Sequence, residues 1–253
     1  MDVNTKISKA IKLLQRFRDR PVTILFSGGK DSLAALLLAL DAGLKRFNIV
    51  YAEVTGNTHP ACTLYVYNVC KKLGVLDRLV VGSAKAKGRW DFYTCLVKWG
   101  IPWYRTRWCL NNFKVPIWQK HGYRIHVCGI RASESHEKSK LNMVRFTLQN
   151  AYMVNPLYTW TDADVLDYIK SRGVEINPLY DIYLDSGNCM FCPFKPLPAV
   201  ARVMQDQDWG PKIARALMTW LETVKDYRGA EIGKRVATKW LRFYKQNNIL
   251  TYL

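Results

Sequence analysis

Val22-Thr23-Ile24-Leu25-Phe26-Ser27-Gly28-Gly29-Lys30-Asp31-Ser32 is a short apolar, β-branched run broken by two glycines, and the residues behind it, Asp31 to Leu40, read as a helix that stops near Gly43. A strand, a glycine turn and a helix N-terminus in that order aim backbone N–H groups and the positive helix end at one point. Such a point is an anion site, and phosphate is its usual occupant. Lys30 can add a mobile positive charge, and the Ser27 and Ser32 hydroxyls can add donors. The pattern is not G-x-x-x-x-G-K-[ST], so the nucleotide loop of that spacing is excluded. An ordinary glycine turn is the plain alternative.

Working outward, residues 4–20 place Ile7, Ile11, Leu14 and Phe17 at helical spacing, and Pro21 ends that helix. The helix at 31–42 is apolar almost all round, as expected between two layers. Phe47 to Val54 reads as a second strand, and Pro60 opens a helix with Cys62, Val66, Val69, Cys70 and Leu73 on one face, closed by Gly74. Leu79-Val80-Val81 is a third strand. Helices within 89–99 and near 110–120 lead to a strand at Arg124–Cys128, a polar loop from Gly129 to Lys140 and a strand at Tyr152-Met153-Val154. Strands alternating with helices predict an α/β fold with a doubly wound, mainly parallel five-stranded sheet and its ligand at the carboxyl ends of the strands. Thr161-x-x-Asp164 is a capping box opening a helix that Gly173 closes. Residues 174–195 are irregular. From about 197 the pattern is helical and basic, with Trp209, Trp220, Trp240 and Tyr244 as apolar anchors. The expected organisation is an α/β domain over 1–195, with a cysteine loop at 185–193, and a basic helical C-terminal part over 196–253.

The chain has 253 residues, 49% of them hydrophobic and 13% aromatic, which excludes a mostly disordered protein. Its longest unbroken apolar run, Leu33 to Leu40, is far short of the ~18 residues of a membrane span. No apolar core follows a basic start at the N-terminus, so a cytoplasmic protein is expected. A formal net charge of +18 favours a polyanionic partner, nucleic acid above all. Seven cysteines without a secretory signal argue against a disulfide framework.

Two further stretches fall at strand ends. After the second strand, Glu53 could hold a ribose hydroxyl or a metal, or simply be solvated, and backbone near Gly56 could meet a base edge; His59 before Pro60 suits a turn or cap. After the strand at 124–128, Gly129-Ile130-Arg131-Ala132-Ser133-Glu134-Ser135 places Arg131 for bidentate contacts to phosphate or sulfate. Glu134 could order Arg131 or bind Mg²⁺, and Lys138 and Lys140 add charge.

Ser27-Gly28-Gly29-Lys30-Asp31-Ser32 resembles the pyrophosphate loop of the ATP pyrophosphatases, which split ATP between its α and β phosphates. Gly129-Ile130-Arg131-x-x-Glu134-Ser135, then Asn155-Pro156-Leu157-Tyr158-Thr159-Trp160-Thr161-x-x-Asp164-Val165, then Asn177-Pro178-Leu179-Tyr180-Asp181 resemble the phosphoadenosine phosphosulfate reductase family over roughly residues 20–210. The resemblance implies an adenine-nucleotide α-hydrolase-like sheet binding ATP with Mg²⁺, or an adenylylsulfate. It makes Ser27, Gly28, Gly29, Lys30, Asp31, Ser32, Glu53, Gly56, Gly129, Arg131 and Glu134 the nucleotide residues, with Lys30, Asp31 and Arg131 catalytic. The chain departs from the thioredoxin-dependent reductases of that family: no Glu-Cys-Gly motif stands near Gln246–Leu253, and its pyrophosphate loop is intact where theirs is usually eroded.

Cys189-x-x-Cys192-Pro193 lies in a loop, and thiolates in that spacing suit an iron–sulfur centre, Zn²⁺ or a redox disulfide. Iron–sulfur members of the family hold a [4Fe–4S] cluster with a Cys-Cys pair and a distant Cys-x-x-Cys. Here Trp108 replaces the first cysteine of the pair, so the resemblance implies three metal ligands, Cys109, Cys189 and Cys192, as in tRNA thiolation enzymes, with Cys109 also a catalytic candidate. Cys62, Cys70 and Cys128 fit the core.

Residues 85–124 carry nine Lys or Arg against Asp91 alone, interleaved with ten aromatics. That mixture suits a single-stranded or flipped nucleotide, or else a core with a solvated basic face. The expectation is an enzyme that activates an acceptor by adenylylation for sulfur transfer to nucleic acid, tRNA or DNA. A sulfur donor protein or thiol would be its partner, no membrane is involved, and a homodimer is left open. The alternatives are an adenylylsulfate or phosphoadenylylsulfate reductase releasing sulfite, and a non-catalytic nucleotide sensor that binds nucleic acid.

Overall fold

The computed structural model describes residues 2–86, 88–134, 136–140, 142–147, 150–225 and 229–249, with side chains left aside at 136, 137 and 245–249. Ser135 of the Arg131 motif, Lys87 of the basic stretch and the last four residues lie outside the described set. Helix α1 (Val3–Gln15) is opened by Asp2, whose carboxylate accepts the N–H groups of Asn4 and Thr5. It ends five residues before the expected position. There the N–H groups of Phe17, Arg18 and Arg20 turn back to carbonyls three residues earlier, which curls the chain toward Val22.

Strand β1 (Val22–Leu25) leads through the glycine loop into α2 (Lys30–Asp41), which buries every residue from Ser32 to Ala39. The chain continues through β2 (Phe47–Val54), α3 (Pro60–Lys72), β3 (Leu79–Ala84), α4 (Phe92–Trp99), α5 (Trp108–Phe113), α6 (Val115–His121) and β4 (Ile125–Val127). A 3₁₀ turn at Ala132–Glu134, α7 (His136–Ser139), β5 (Val144–Phe146), β6 (Tyr152–Val154), α8 (Asp162–Ser171) and α9 (Leu179–Tyr183) follow. The chain then forms α10 (Leu197–Gln205), α11 (Trp209–Thr223) and α12 (Ala230–Ile249), the expected helical C-terminal part.

The sheet is mainly parallel, in the order β3-β2-β1-β4-β6-β5. Six strands stand where the sequence suggested five. The added one, β5, is a three-residue edge strand antiparallel to β6, with Phe146 exposed, too short and too one-sided to show a period. The parallel pairing of β1 with β2 on one side and β4 on the other fixes the functional geography. Chain order reverses there, and in open α/β sheets ligands bind at the carboxyl ends of strands at such a reversal.

Two compact units share the chain: one of Met1–Ala52, Ala61–Gly82 and Val115–Asn177, the other of Glu53–Pro60, Ser83–Lys114 and Pro178–Leu253. The first has a core of aliphatic side chains from α2, β1, β2 and α8, including Leu33, Leu36, Ile24, Ile49 and Val165. The second is aromatic: Phe191 lies 4.5 Å from Trp240 and 6.1 Å from Phe92, ring centre to ring centre. Phe92, Tyr93 and Phe113 are buried, so part of the aromatic stretch at 85–124 is core. Among the described residues no helix is long and apolar enough to cross a membrane.

Candidate functional site

In the first unit, the loop after β1 is fastened from three sides. Gly28 has φ +77°, and a Cβ on it would lie 2.7 Å from Cys62 Sγ, so glycine is required both for the turn and for the close approach. Cys62 Sγ donates weakly to the Ser27 carbonyl at 3.6 Å, and the buried Asn177 donates through Nδ2 to the Gly28 carbonyl at 3.2 Å. Ser32 Oγ accepts the Ser27 N–H at 3.1 Å and donates to the Gly29 carbonyl at 2.8 Å. Its one proton is thereby committed, so Ser27 Oγ is the donor in the 3.1 Å contact between the two hydroxyls. Both serine hydroxyls therefore brace the loop as it stands. Gly29 is the N-cap of α2 with no side-chain cap, so the positive end of the helix is presented at the loop by main chain.

The loop after β4 meets this cradle because Gly129 has no side chain: a Cβ there would stand 2.5 Å from the Asp31 carbonyl. Arg131 is thereby brought to the mouth of α2, buried to 6% exposure. Its Nε lies 2.7 Å from Asp31 Oδ1, an ion pair whose N–H is not aimed along the contact, and its Nη2 donates to Asp162 Oδ1 at 2.6 Å. Lys30 Nζ lies 3.0 Å from Asp162 Oδ1 and 3.2 Å from Asp31 Oδ2. Two cations and two carboxylates thus balance at the helix N-terminus. Burial works against the Arg131 charge, but Asp31, then Asp162 and Glu134, outweigh it and hold its pKa above the ordinary value. Burial likewise opposes the charge of Asp162, yet Lys30 and then Arg131 hold its carboxyl below the usual range.

Asp162 was missed in the sequence. It stands one residue after the capping Thr161, where an acidic residue in a first turn reads as helix-dipole chemistry. Glu134 accepts the backbone N–H of Arg131 at 2.8 Å and pairs with Lys138, so it orders the Arg131 loop through the main chain.

In the second unit, the loop after β2 is organised by Asn57, which is fully buried. Its Nδ2 donates to the Phe191 carbonyl at 2.9 Å; its Oδ1 accepts the Phe191 N–H at 2.8 Å and the Tyr93 hydroxyl at 2.9 Å. Thr58 Oγ1 donates to the Asn188 carbonyl at 2.8 Å, and the Asn57 carbonyl accepts the Met190 N–H at 2.8 Å. Asn57 therefore positions the whole Cys189–Cys192 loop, a role that nothing in its sequence neighbourhood marks. Gly56 has φ +84°, and a Cβ on it would stand 3.0 Å from Asp91 Oδ2; its carbonyl accepts from Lys212 Nζ at 2.7 Å. Glu53 is half-buried at the end of β2.

Cys109, Cys189 and Cys192 are all partly accessible and belong to this unit, whereas Cys62, Cys70, Cys95 and Cys128 are buried. Burial first, then the neighbouring Cys189, pushes the Cys192 thiol up to about 11; the Phe194 N–H, Lys195 and Cys109 act more weakly. Burial and Cys189 also raise Cys109, against Lys114 and Arg107. The three thiols thus feel one another among three cations. The buried Asn188 beside them takes Lys114 on Oδ1 at 2.6 Å, while its Nδ2 has no hydrogen-bond partner. Thiols, cations and an unsatisfied donor are the right chemistry for an anionic sulfur centre. Among the described residues, however, no three His, Cys, Asp or Glu side chains form a group arranged to hold a metal ion.

A mainly parallel α/β sheet with a glycine-built, charge-paired cradle at a helix N-terminus and at its chain reversal is the architecture of a nucleotide-handling protein. Residues 21–195 match the phosphoadenosine phosphosulfate reductase domain, and the chain belongs to that family. An uncharacterized protein of Methanocaldococcus jannaschii is 26% identical over 195 residues, 74% of this chain and 39% of the relative. An adenosine 5'-phosphosulfate reductase of Mycolicibacterium smegmatis is 36% identical over 81 residues, 30% of this chain and 33% of the reductase. The chain thus spans well under half the length of both relatives. A phosphoadenylyl-sulfate reductase from Candida auris, solved as a phosphate complex, superposes with a TM-score of 0.49 at 18% identity, covering 71% of this chain and 89% of that one.

Proposed function

We propose that this protein is an ATP-pyrophosphatase-type enzyme that adenylylates an acceptor for sulfur transfer to nucleic acid. The observation that carries the proposal is the cradle of Lys30 and Arg131, balanced by Asp31 and Asp162, at the uncapped N-terminus of α2. A triphosphate brings the negative charge that the carboxylates now supply, and the loop N–H groups take the phosphate oxygens. Asp31 and Asp162 are hard oxygen donors of the kind that hold Mg²⁺ alongside phosphates, and the ion would add charge neutralisation. An acceptor oxygen attacks the α-phosphate, and pyrophosphate leaves. Lys30 and Arg131 stabilise the charge growing on the phosphates, which is electrostatic rather than covalent catalysis.

A persulfide on the donor protein or thiol then attacks the activated carbon, a C–S bond forming as the C–O bond to AMP breaks. A thiolate among Cys109, Cys189 and Cys192, to which this delivery step is assigned, attacks the donor's own sulfur, so that the S–S bond breaks, the thiolated product leaves and a disulfide between donor and enzyme remains. Glu53 and Gly56 are assigned to the nucleoside. The acceptor class rests on charge: +18 overall, with nine basic residues in the forty from 85 to 124.

Exchange of labelled pyrophosphate into ATP tests the activation half. Exchange stimulated by tRNA or DNA is expected, and its absence with every RNA and DNA tried would sink the proposal. The second reading, reduction of an adenylylsulfate, is favoured by the segment shared with the mycobacterial reductase. It requires sulfite release with a thiol donor and no need for ATP.

A further inference from the structure

The loops that carry the thiols also expose two large rings. Phe194, two residues beyond Cys192, is 55% exposed, and Tyr104, five residues before Cys109, is 63% exposed. Single exposed apolar residues are ordinary, so exposure alone decides nothing. Each ring, however, carries a guanidinium. Arg107 Cζ stands 5.7 Å from the centre of the Phe194 ring, and Arg105 Cζ stands 5.5 Å from that of Tyr104. Arg107 is also close enough for its charge to act on Cys109, and Phe194 follows Cys192 by two residues in the same loop. An aromatic face and a guanidinium plane at the lip of a reactive centre are what protein surfaces use to receive unstacked bases.

We propose that Phe194 with Arg107, extended by Tyr104 with Arg105, forms a stacking platform that holds an unstacked base of a single-stranded nucleic acid beside Cys109 and Cys192. The inference deepens the functional reading and rests on it for the acceptor class. The second pair also meets Trp103, whose ring centre lies 4.9 Å from that of Tyr104 and 5.9 Å from Arg105 Cζ, while the buried aromatic core of this unit runs through Phe92, Phe113, Phe191 and Trp240. The basic charge nearby, Arg105 and Arg107 with Lys114, suits the phosphates that flank such a base.

The test measures binding of the full-length protein to fluorescent twelve-residue single strands, ribo and deoxy, and to a duplex, by anisotropy across a salt series. Phe194→Ala should weaken single-strand binding by roughly tenfold at every salt concentration with an unchanged salt slope, and leave duplex binding alone. Phe194→Trp should restore it. Arg107→Ala should weaken binding and lower the salt slope by about one. The ribo and deoxy arms show which sugar the platform prefers. If the wild-type protein binds single strands and Phe194→Ala binds them equally well, the platform is wrong while the nucleic-acid reading stands. If the wild-type protein binds no strand, both fall, and pyrophosphate exchange measured on the same preparation shows whether ATP activation falls with them. Because Phe194 is at the surface, an unchanged melting temperature confirms that the variant is folded.

Discussion

The glycine loop of the first unit and the cysteine loop of the second are built in different ways. The glycine loop is main chain held by short side chains: Gly28 and Gly129 allow the close approaches, and Ser32, Cys62 and Asn177 pin its carbonyls. Its charged groups answer one another before any ligand arrives. The cysteine loop is tied to the loop after β2 through the buried Asn57 amide and Thr58, and it keeps an unsatisfied donor at Asn188. A site with balanced charges needs a ligand that outbids its carboxylates, whereas a site with an open donor awaits an acceptor that it does not contain.

The sharpest way to break the comparison is at Lys30. Lys30→Ala should lower pyrophosphate exchange by ~10²–10³-fold, the scale of losing one preorganised electrostatic contact, with little change in melting temperature. A loss below tenfold would mean that Lys30 is a structural partner of Asp162 only. Asn57→Ala should do the reverse. It strands the Phe191 N–H, the Phe191 carbonyl and the Tyr93 hydroxyl in a buried site, for a cost of ~2–4 kcal/mol in chemical denaturation. Ellman titration of the native variant should then find Cys109, Cys189 and Cys192 more reactive, while Cys62 under the glycine loop stays protected.

Asp162→Asn sharpens the contrast at smaller scale. It removes the carboxylate shared by Lys30 and Arg131, so inorganic pyrophosphate without Mg²⁺ should bind several-fold more tightly, about 1 kcal/mol, by calorimetry. With Mg²⁺ and ATP, turnover should fall. Tighter pyrophosphate binding with unchanged turnover would leave Asp162 as a charge balance and remove it as a metal ligand.

What the sequence disclosed follows the same division. Alternating strands and helices, the glycine loop, Arg131 after a strand and the capping box were legible, because each is a local pattern with a local cause. The two Asn-Pro motifs were visible as motifs but not as mechanics. Asn177 holds the Gly28 carbonyl across 149 positions, and Asn57 works across more than 130. Long-range hydrogen bonds leave no periodicity. The aromatic stretch at 85–124 was ambiguous for a related reason: composition does not say which of Phe92, Tyr104 or Phe113 faces inward, and the packing buries the first and last and exposes the second. β5 was hidden by its length.

The smallest effect lies away from both loops, at the capping box that the sequence did show. Thr161 Oγ1 accepts the Asp164 N–H, Asp164 accepts the Thr161 N–H at 2.6 Å, and Lys6 Nζ from α1 reaches Asp164 Oδ2 at 2.5 Å. Burial opposes the Asp164 charge, but Lys6 and Thr161 prevail and bring its pKa down to about 2 from an ordinary 3.8. A carboxyl depressed in the folded state favours folding once pH exceeds its unfolded value. Its contribution is complete above about pH 4 and disappears as pH falls toward 2. Asp164→Asn should therefore cost ~1 kcal/mol at neutral pH, the worth of a helix cap, and the two proteins should converge in stability as the solution is acidified through that window. A difference that persisted unchanged at the acid end would assign the loss to packing around α8 rather than to the ionised cap. If it grew on acidification, another carboxylate, Asp162 first, would be carrying the linkage.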